Sequence, residues 1–135
     1  MCLRAIFFGN ADTERSPGIW LYPNTLQLHI RLSDVVSYNS GTDPTQLLSL
    51  NTKYNLRLDV PGDGTLAVYL NDGEVASSTG VAHITRWLAP IFACDPYYNP
   101  AVGSISNLVI APYTSSSDEE NGGGENDFNS SISAN

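Results

Sequence analysis

The sequence predicts an all-β fold built from antiparallel strands, and three observations carry that expectation. Apolar and polar residues alternate with a period of two in several short runs, most clearly in Leu26–Ser33 and Tyr54–Val60. Turn-forming residues recur between the runs, at Ser16-Pro17-Gly18, Pro23-Asn24, Ser40-Gly41, Asp43-Pro44 and Asp95-Pro96. Asp72-Gly73 separates two such runs, and a two-residue primed hairpin turn favours this pair because both central positions need positive φ.

The elements follow in chain order. Leu3–Phe8 opens as a strand and Gly18–Tyr22 reads as the second. In Leu26–Ser33, Leu26, Leu28, Ile30 and Leu32 alternate with Gln27, His29, Arg31 and Ser33, the pattern of a half-buried strand. Tyr54, Leu56, Leu58 and Val60 alternate with Asn55, Arg57 and Asp59; Pro61-Gly62-Asp63-Gly64 then reverses the chain into Leu66–Asn71. Glu74–Ser78 completes a three-stranded meander, and Ile91–Cys94 and Ser104–Ile110 are the last strands. In Ser104–Ile110 the apolar residues Ile105, Leu108 and Ile110 fall out of step near Asn107, which predicts a bulge there. A short helical turn fits only Pro44–Leu48 or His83–Leu88. Many short strands with evenly spaced turns make a sandwich or a barrel.

The chain has 135 residues, one domain's worth, with enough apolar content for a core. Its net charge of −8 is uneven, because residues 113–135 hold five acids and no base. That segment, YTSSSDEENGGGENDFNSSISAN, has too little apolar surface to offset the entropy of ordering, so a β domain over 1–112 and a disordered acidic tail over 113–135 are expected. Without a basic footprint, nucleic acid and anionic membrane surfaces are poor partners. No run approaches the roughly 18 apolar residues of a membrane span, so membrane insertion is not expected. MCLRAIFFGN does not read as a signal peptide, its apolar run being short and closely followed by Asp12 and Glu14. Cys2 and Cys94 are either a pair or two separate thiols.

Three stretches resemble the laminin G-like jelly-roll domains of the concanavalin A-like lectin/glucanase superfamily. They are LSLNTKYNLRLDV (Leu48–Val60), GTLAVYLNDGEVA (Gly64–Ala76) and GSISNLVIAP (Gly103–Pro112), with IFACDP (Ile91–Pro96) as a weaker fourth. The resemblance implies a two-sheet antiparallel sandwich of jelly-roll type and an extracellular or cell-surface setting. It also implies more chain before the first shared strand than this sequence has, and hence an open sheet edge through which copies or partners associate.

Catalytic patterns are missing. Glycosidases on such a fold place carboxylates at alternate positions of one strand, as in Glu-x-Asp-x-x-Glu; Asp12 and Glu14 have that spacing but lie in a polar turn with no third acid. There is no Gly-x-Ser-x-Gly elbow for a hydrolase using His29 or His83, and no paired Cys or His spacing for zinc. The resemblance implies a non-catalytic module that recognises a glycan or a protein surface. The alternatives are an assembly module of a surface layer or fibre, or a degenerate glycosidase-like domain. By the same resemblance it is expected to hold Ca²⁺ at a sandwich rim, through Asn10, Asp12, Asp43 and Asp95, because a hard cation wants many loop oxygens. Asp and Asn are equally ordinary turn formers. Tyr97, Tyr98 and Asn99, in the stiff loop Asp95–Pro100, are the candidate ligand platform. Trp20 and Tyr22 share a face of their strand and are expected to fill core. The rim loops Asn10–Arg15, Ser40–Thr45 and Asp95–Pro100 would carry recognition.

Overall fold

The computed structural model describes residues 3–22, 24–81, 89–92 and 104–112. Eight strands run in chain order: β1 (Leu3–Phe8), β2 (Gly18–Leu21), β3 (Leu28–Leu32), β4 (Ser40–Thr42), β5 (Leu56–Asp59), β6 (Thr65–Leu70), β7 (Gly73–Thr79) and β8 (Ile91–Phe92). They form two antiparallel sheets, a five-stranded one ordered β4-β3-β2-β1-β8 and a three-stranded one ordered β5-β6-β7. The described residues include no helix, so Pro44–Leu48 forms no helical turn, and an isolated bridge joins Leu47 to Gln27. His83–Leu88, Cys2, Cys94 and the 113–135 segment lie outside the described residues.

The alternation read from sequence becomes packing directly. Ile19, Leu28, Ile30 and Leu32 from the larger sheet and Leu66, Val68 and Leu70 from the smaller one, with Val81, make one buried cluster. Ile6, Leu21, Tyr54, Leu56, Leu58 and Val60 pack around its margin. Each buried Leu, Ile or Val removes enough apolar surface from water to stabilise the fold by about 1.5–3 kcal/mol. Val81 is drawn in because its N–H donates to the Gly64 carbonyl, closing the loop beside β6.

Ser104–Ile110, read as the last strand, joins neither sheet, and three further local features depart from the sequence reading. β3 starts two residues later than expected, because Leu26 has φ 54° and turns out of the extended chain. Ser40–Thr42, read as turn, is a short edge strand in register with Leu32–Ile30; Gly41 is required there, since a Cβ would lie 2.1 Å from the Ile30 carbonyl oxygen. The β6–β7 hairpin turns on Asn71 and Asp72, with φ 50° and 68°, while Gly73 already pairs with Leu70. Asn and Asp tolerate the left-handed region, and the Asn71 side chain also accepts the Asn55 N–H, which anchors the turn to β5.

On the outer face of the larger sheet the register sets Trp20 opposite His29 and Gly18 opposite Arg31. The Trp20 ring lies across Gly18, where an added Cβ would come within 2.0 Å of it. Trp20 is only 3% exposed, but it and the half-buried Tyr22 lie against His29 on the sheet's outer side, apart from the core between the sheets where the sequence places them.

Candidate functional site: a rim loop clamped by an arginine

β1 ends, β2 begins, β3 ends and β4 begins at the same end of the larger sheet. Two connections therefore share that rim, residues 9–17 and residues 33–39. Arg15 joins them. Its backbone N–H donates to Ser33 Oγ at 2.8 Å, and its carbonyl accepts the Ser33 N–H at 2.7 Å. Ser33 Oγ in turn donates to the Thr13 carbonyl. The Arg15 guanidinium donates to the Asp12 carbonyl from Nε and to Asn39 Oδ1 from an η nitrogen, and lies 3.9 Å from the Asp12 carboxylate. It also sits over two rings, Trp20 at 4.8 Å and Tyr38 at 5.1 Å. A guanidinium suits this place, because its flat faces stack on aromatics while its edges donate to fixed oxygens.

The 34–39 loop is tied at its own base as well. The Asp34 carboxylate accepts the N–H groups of Val36 at 2.7 Å and Ser37 at 2.6 Å, and the Ser40 hydroxyl donates to it too. The Ser40 bond first and these two N–H bonds next hold its carboxyl below the usual range, because they favour the ionised form. The Asp34 N–H donates to the Ser37 carbonyl, closing the turn. From this fixed backbone Val35, Val36 and Tyr38 project with 74%, 91% and 52% of their surface exposed. Large apolar side chains clustered on a tethered loop are the uncommon observation; single exposed ones are ordinary.

A second polar cluster lies further along the same sheet. The Asp43 carboxylate takes a two-pronged contact from Arg31, at 2.9 and 3.0 Å, and His29 Nδ1 is 2.7 Å away. The Tyr22 hydroxyl donates to Asp43 Oδ2 and lies 2.9 Å from the same histidine nitrogen. Burial raises the Asp43 carboxyl, but the hydrogen bonds and charges of Arg31 and His29 outweigh it, and the group is held below the usual range. With Asp43 ionised, His29 Nδ1 carries the hydrogen. Burial first, then the Arg31 charge, lowers the His29 pKa below 6.5 despite Asp43. Among the described residues His29 is hydrogen-bonded to the Tyr22 hydroxyl and the Asp43 carboxylate, and to no serine, threonine or cysteine side chain. The cluster therefore acts as a polar pin between β2, β3 and the end of β4.

The predicted site residues are distributed unevenly over these features. Asn10 and Asp12 are in the clamped rim. Asp43 follows directly on β4, at the other end of that strand from the Asn10 and Asp12 rim, and its oxygens are engaged by Arg31, His29 and Tyr22. Asp95, Tyr97, Tyr98 and Asn99 lie outside the described residues. Among the described residues no three His, Cys, Asp or Glu side chains gather in a way that could hold a metal ion. Sequence reasoning passed over Val35, Val36 and Tyr38. The usable signal was three large apolar residues between the end of one strand and the next turn, behind an Asp able to cap N–H groups two and three residues on. No family model, curated protein or solved structure matches the chain.

Proposed function

We propose that this chain is a non-catalytic recognition module that binds a protein surface through the rim loop 34–39. One observation carries the reading: Val35, Val36 and Tyr38 stand exposed on a backbone that Asp34 and Arg15 hold in place. A loop already ordered loses little conformational freedom on binding, so its apolar contacts go largely into affinity. Two branched aliphatic side chains beside one tyrosine suit a greasy protein pocket better than a sugar, whose hydroxyls would be desolvated without partners. Of the two ligand classes expected from sequence, the rim therefore supports protein over glycan. The paired antiparallel sheets and the 65–79 hairpin agree with the laminin G-like sandwich that the sequence resembles, and the proposal places the recognition rim on that fold. Calcium belongs to the proposal through Asn10 and Asp12, which lie at the same rim.

The test is a paired screen of the chain on arrays of extracellular proteins and of glycans, with calcium or a chelator. A protein ligand is expected whose affinity drops at least about tenfold in Val36→Asp and in Tyr38→Ala, with melting unchanged. Ligands confined to the glycan array, or a protein ligand indifferent to both substitutions, would refute the assignment to this rim. A chelator that leaves melting and binding untouched would remove calcium from it.

A further inference from the structure

The smaller sheet has two edges, and they differ. The β7 edge is guarded: a bulge near Val75 breaks its register, Ser77, Ser78 and Thr79 line its end, and it lies against β4 of the other sheet. Bulges, polar residues and a covering neighbour are the means by which sheets avoid adding strands. β5 carries no bulge, and among the described residues no neighbouring strand covers its outer edge. Among the described residues it pairs only with β6, in unbroken register from Leu56 to Asp59. Its charged residues, Arg57 and Asp59, are turned toward each other at 3.5 Å, and Arg57 covers the Tyr69 ring, so neither blocks the edge. Its apolar residues Leu56 and Leu58, and Val60 beyond them, pack on the core yet stay half-buried, whereas Leu66 and Val68 beside them are fully covered.

The same chain carries a strand-like segment with no strand to join. Ser104–Ile110 reads as a strand in sequence, but residues 104–112 make no ladder, and Ile105, Val109 and Ile110 remain 39%, 69% and 43% exposed. Asn107 has φ 55°, the left-handed backbone that a bulge residue adopts. One extra residue at that point brings Ile105, Leu108 and Ile110 onto a single face, matching Leu56, Leu58 and Val60 in number and character. Only Pro112, at the far end, lacks the N–H a ladder needs.

We infer that residues 104–112 of one copy add as a strand to the β5 edge of a second copy. The occupant is a second copy because, within one chain, the segment makes no ladder at either edge. Main-chain hydrogen bonds would supply the register and the three apolar residues the burial, completing the margin of the core that β5 leaves half-covered. Mutual exchange closes a two-fold dimer; one-way addition extends into a chain of copies.

The experiment is sedimentation velocity on the full chain from low micromolar to hundreds of micromolar concentration, with hydrogen exchange at both ends of that range. Concentration-dependent association is expected, with the amides of 104–112 and the free edge of β5 becoming protected together. Ile105→Asp combined with Ile110→Asp, at positions already exposed and so safe for folding, is expected to weaken association at least about tenfold. A synthetic peptide of residues 104–112 should compete. A chain that stays monomeric throughout overturns the inference, whether those amides exchange freely or are protected on the chain's own edge. Association that ignores the double substitution overturns it as well.

Discussion

At the scale of single residues, the Asp43 cluster shows how one register decides a side chain's role. Sequence marks Asp43 as an acid beside a proline, equally fit for a rim cation or a turn. The ladder Ile30–Thr42 and Arg31–Gly41 carries it instead to the place opposite His29, within reach of Arg31 and Tyr22. Both titrating groups then make the fold acid-sensitive. Asp43, with its pKa lowered, contributes stability that is complete above the ordinary carboxylate value and is lost as pH falls through the folded value. His29, also lowered, is protonated first in the unfolded chain, so stability declines as pH drops from 6.5 toward its folded value and is flat above. Urea melts between about pH 3 and pH 8 should show both declines. Asp43→Asn is expected to cost about 1–3 kcal/mol at neutral pH, because Arg31 is left without its charge partner. It should also shrink the lower decline, leaving the part that Asp34 and Asp63 contribute, and extend the histidine one, since the aspartate no longer raises the His29 pKa. A variant that keeps both declines unchanged would show that Asp43 does not govern them.

Whole elements were legible where alternation was strong and obscure where it was absent. β3, β5 and β6 follow from runs of period two, and β1, β2 and β7 from short runs bounded by turn residues, all to within a residue or two at their ends. β4 was invisible, since Ser-Gly-Thr offers no apolar face and its pairing depends on a partner strand. The hairpin was found but displaced by one residue: Asp72-Gly73 looks like the turn, yet the chain turns on Asn71-Asp72 and spends Gly73 in the ladder. That register keeps Leu66, Val68 and Leu70 inside, and burial outweighs the local preference for glycine. Asp72, at φ 68°, then holds a backbone that glycine adopts without steric cost. Asp72→Gly should therefore stabilise the protein by about 0.5–1 kcal/mol in thermal or urea melts, the gain at the positive-φ position exceeding the added freedom of the unfolded chain. A loss of stability of that size would mean that the Asp72 side chain contributes something beyond its backbone conformation. The rim loop was hidden for a related reason. Its order comes from Asp34 and Arg15, nineteen residues apart in the chain, and the alternation of neither flanking strand records that link.

At the scale of the molecule, the two sheets are unequal and share one buried cluster. β5, β6 and β7 present Leu66, Val68 and Leu70 to Ile19, Leu28, Ile30 and Leu32, and the buried cluster belongs to both layers at once. A three-stranded meander with one apolar face needs a covering layer to be stable in water, and the five-stranded sheet would expose its inner face without that meander. The layers should therefore unfold as one unit, and β4 and β7 also lie close to each other across them. Leu66→Ala tests this. Leu66 is fully buried on β6, so its truncation should cost about 2–5 kcal/mol through lost burial and an unfilled cavity. The discriminating readout lies on the other sheet: native-state hydrogen exchange of the β3 amides, Leu28–Leu32, should lose the same free energy as that of the β6 amides. If β3 kept its protection while β6 lost it, the larger sheet would have independent stability, and the shared core would be an interface between two folding units. Equal losses would establish the single cooperative scaffold on which the clamped rim depends, since the Arg15 clamp is anchored to the ends of β2 and β3 and has no footing apart from them.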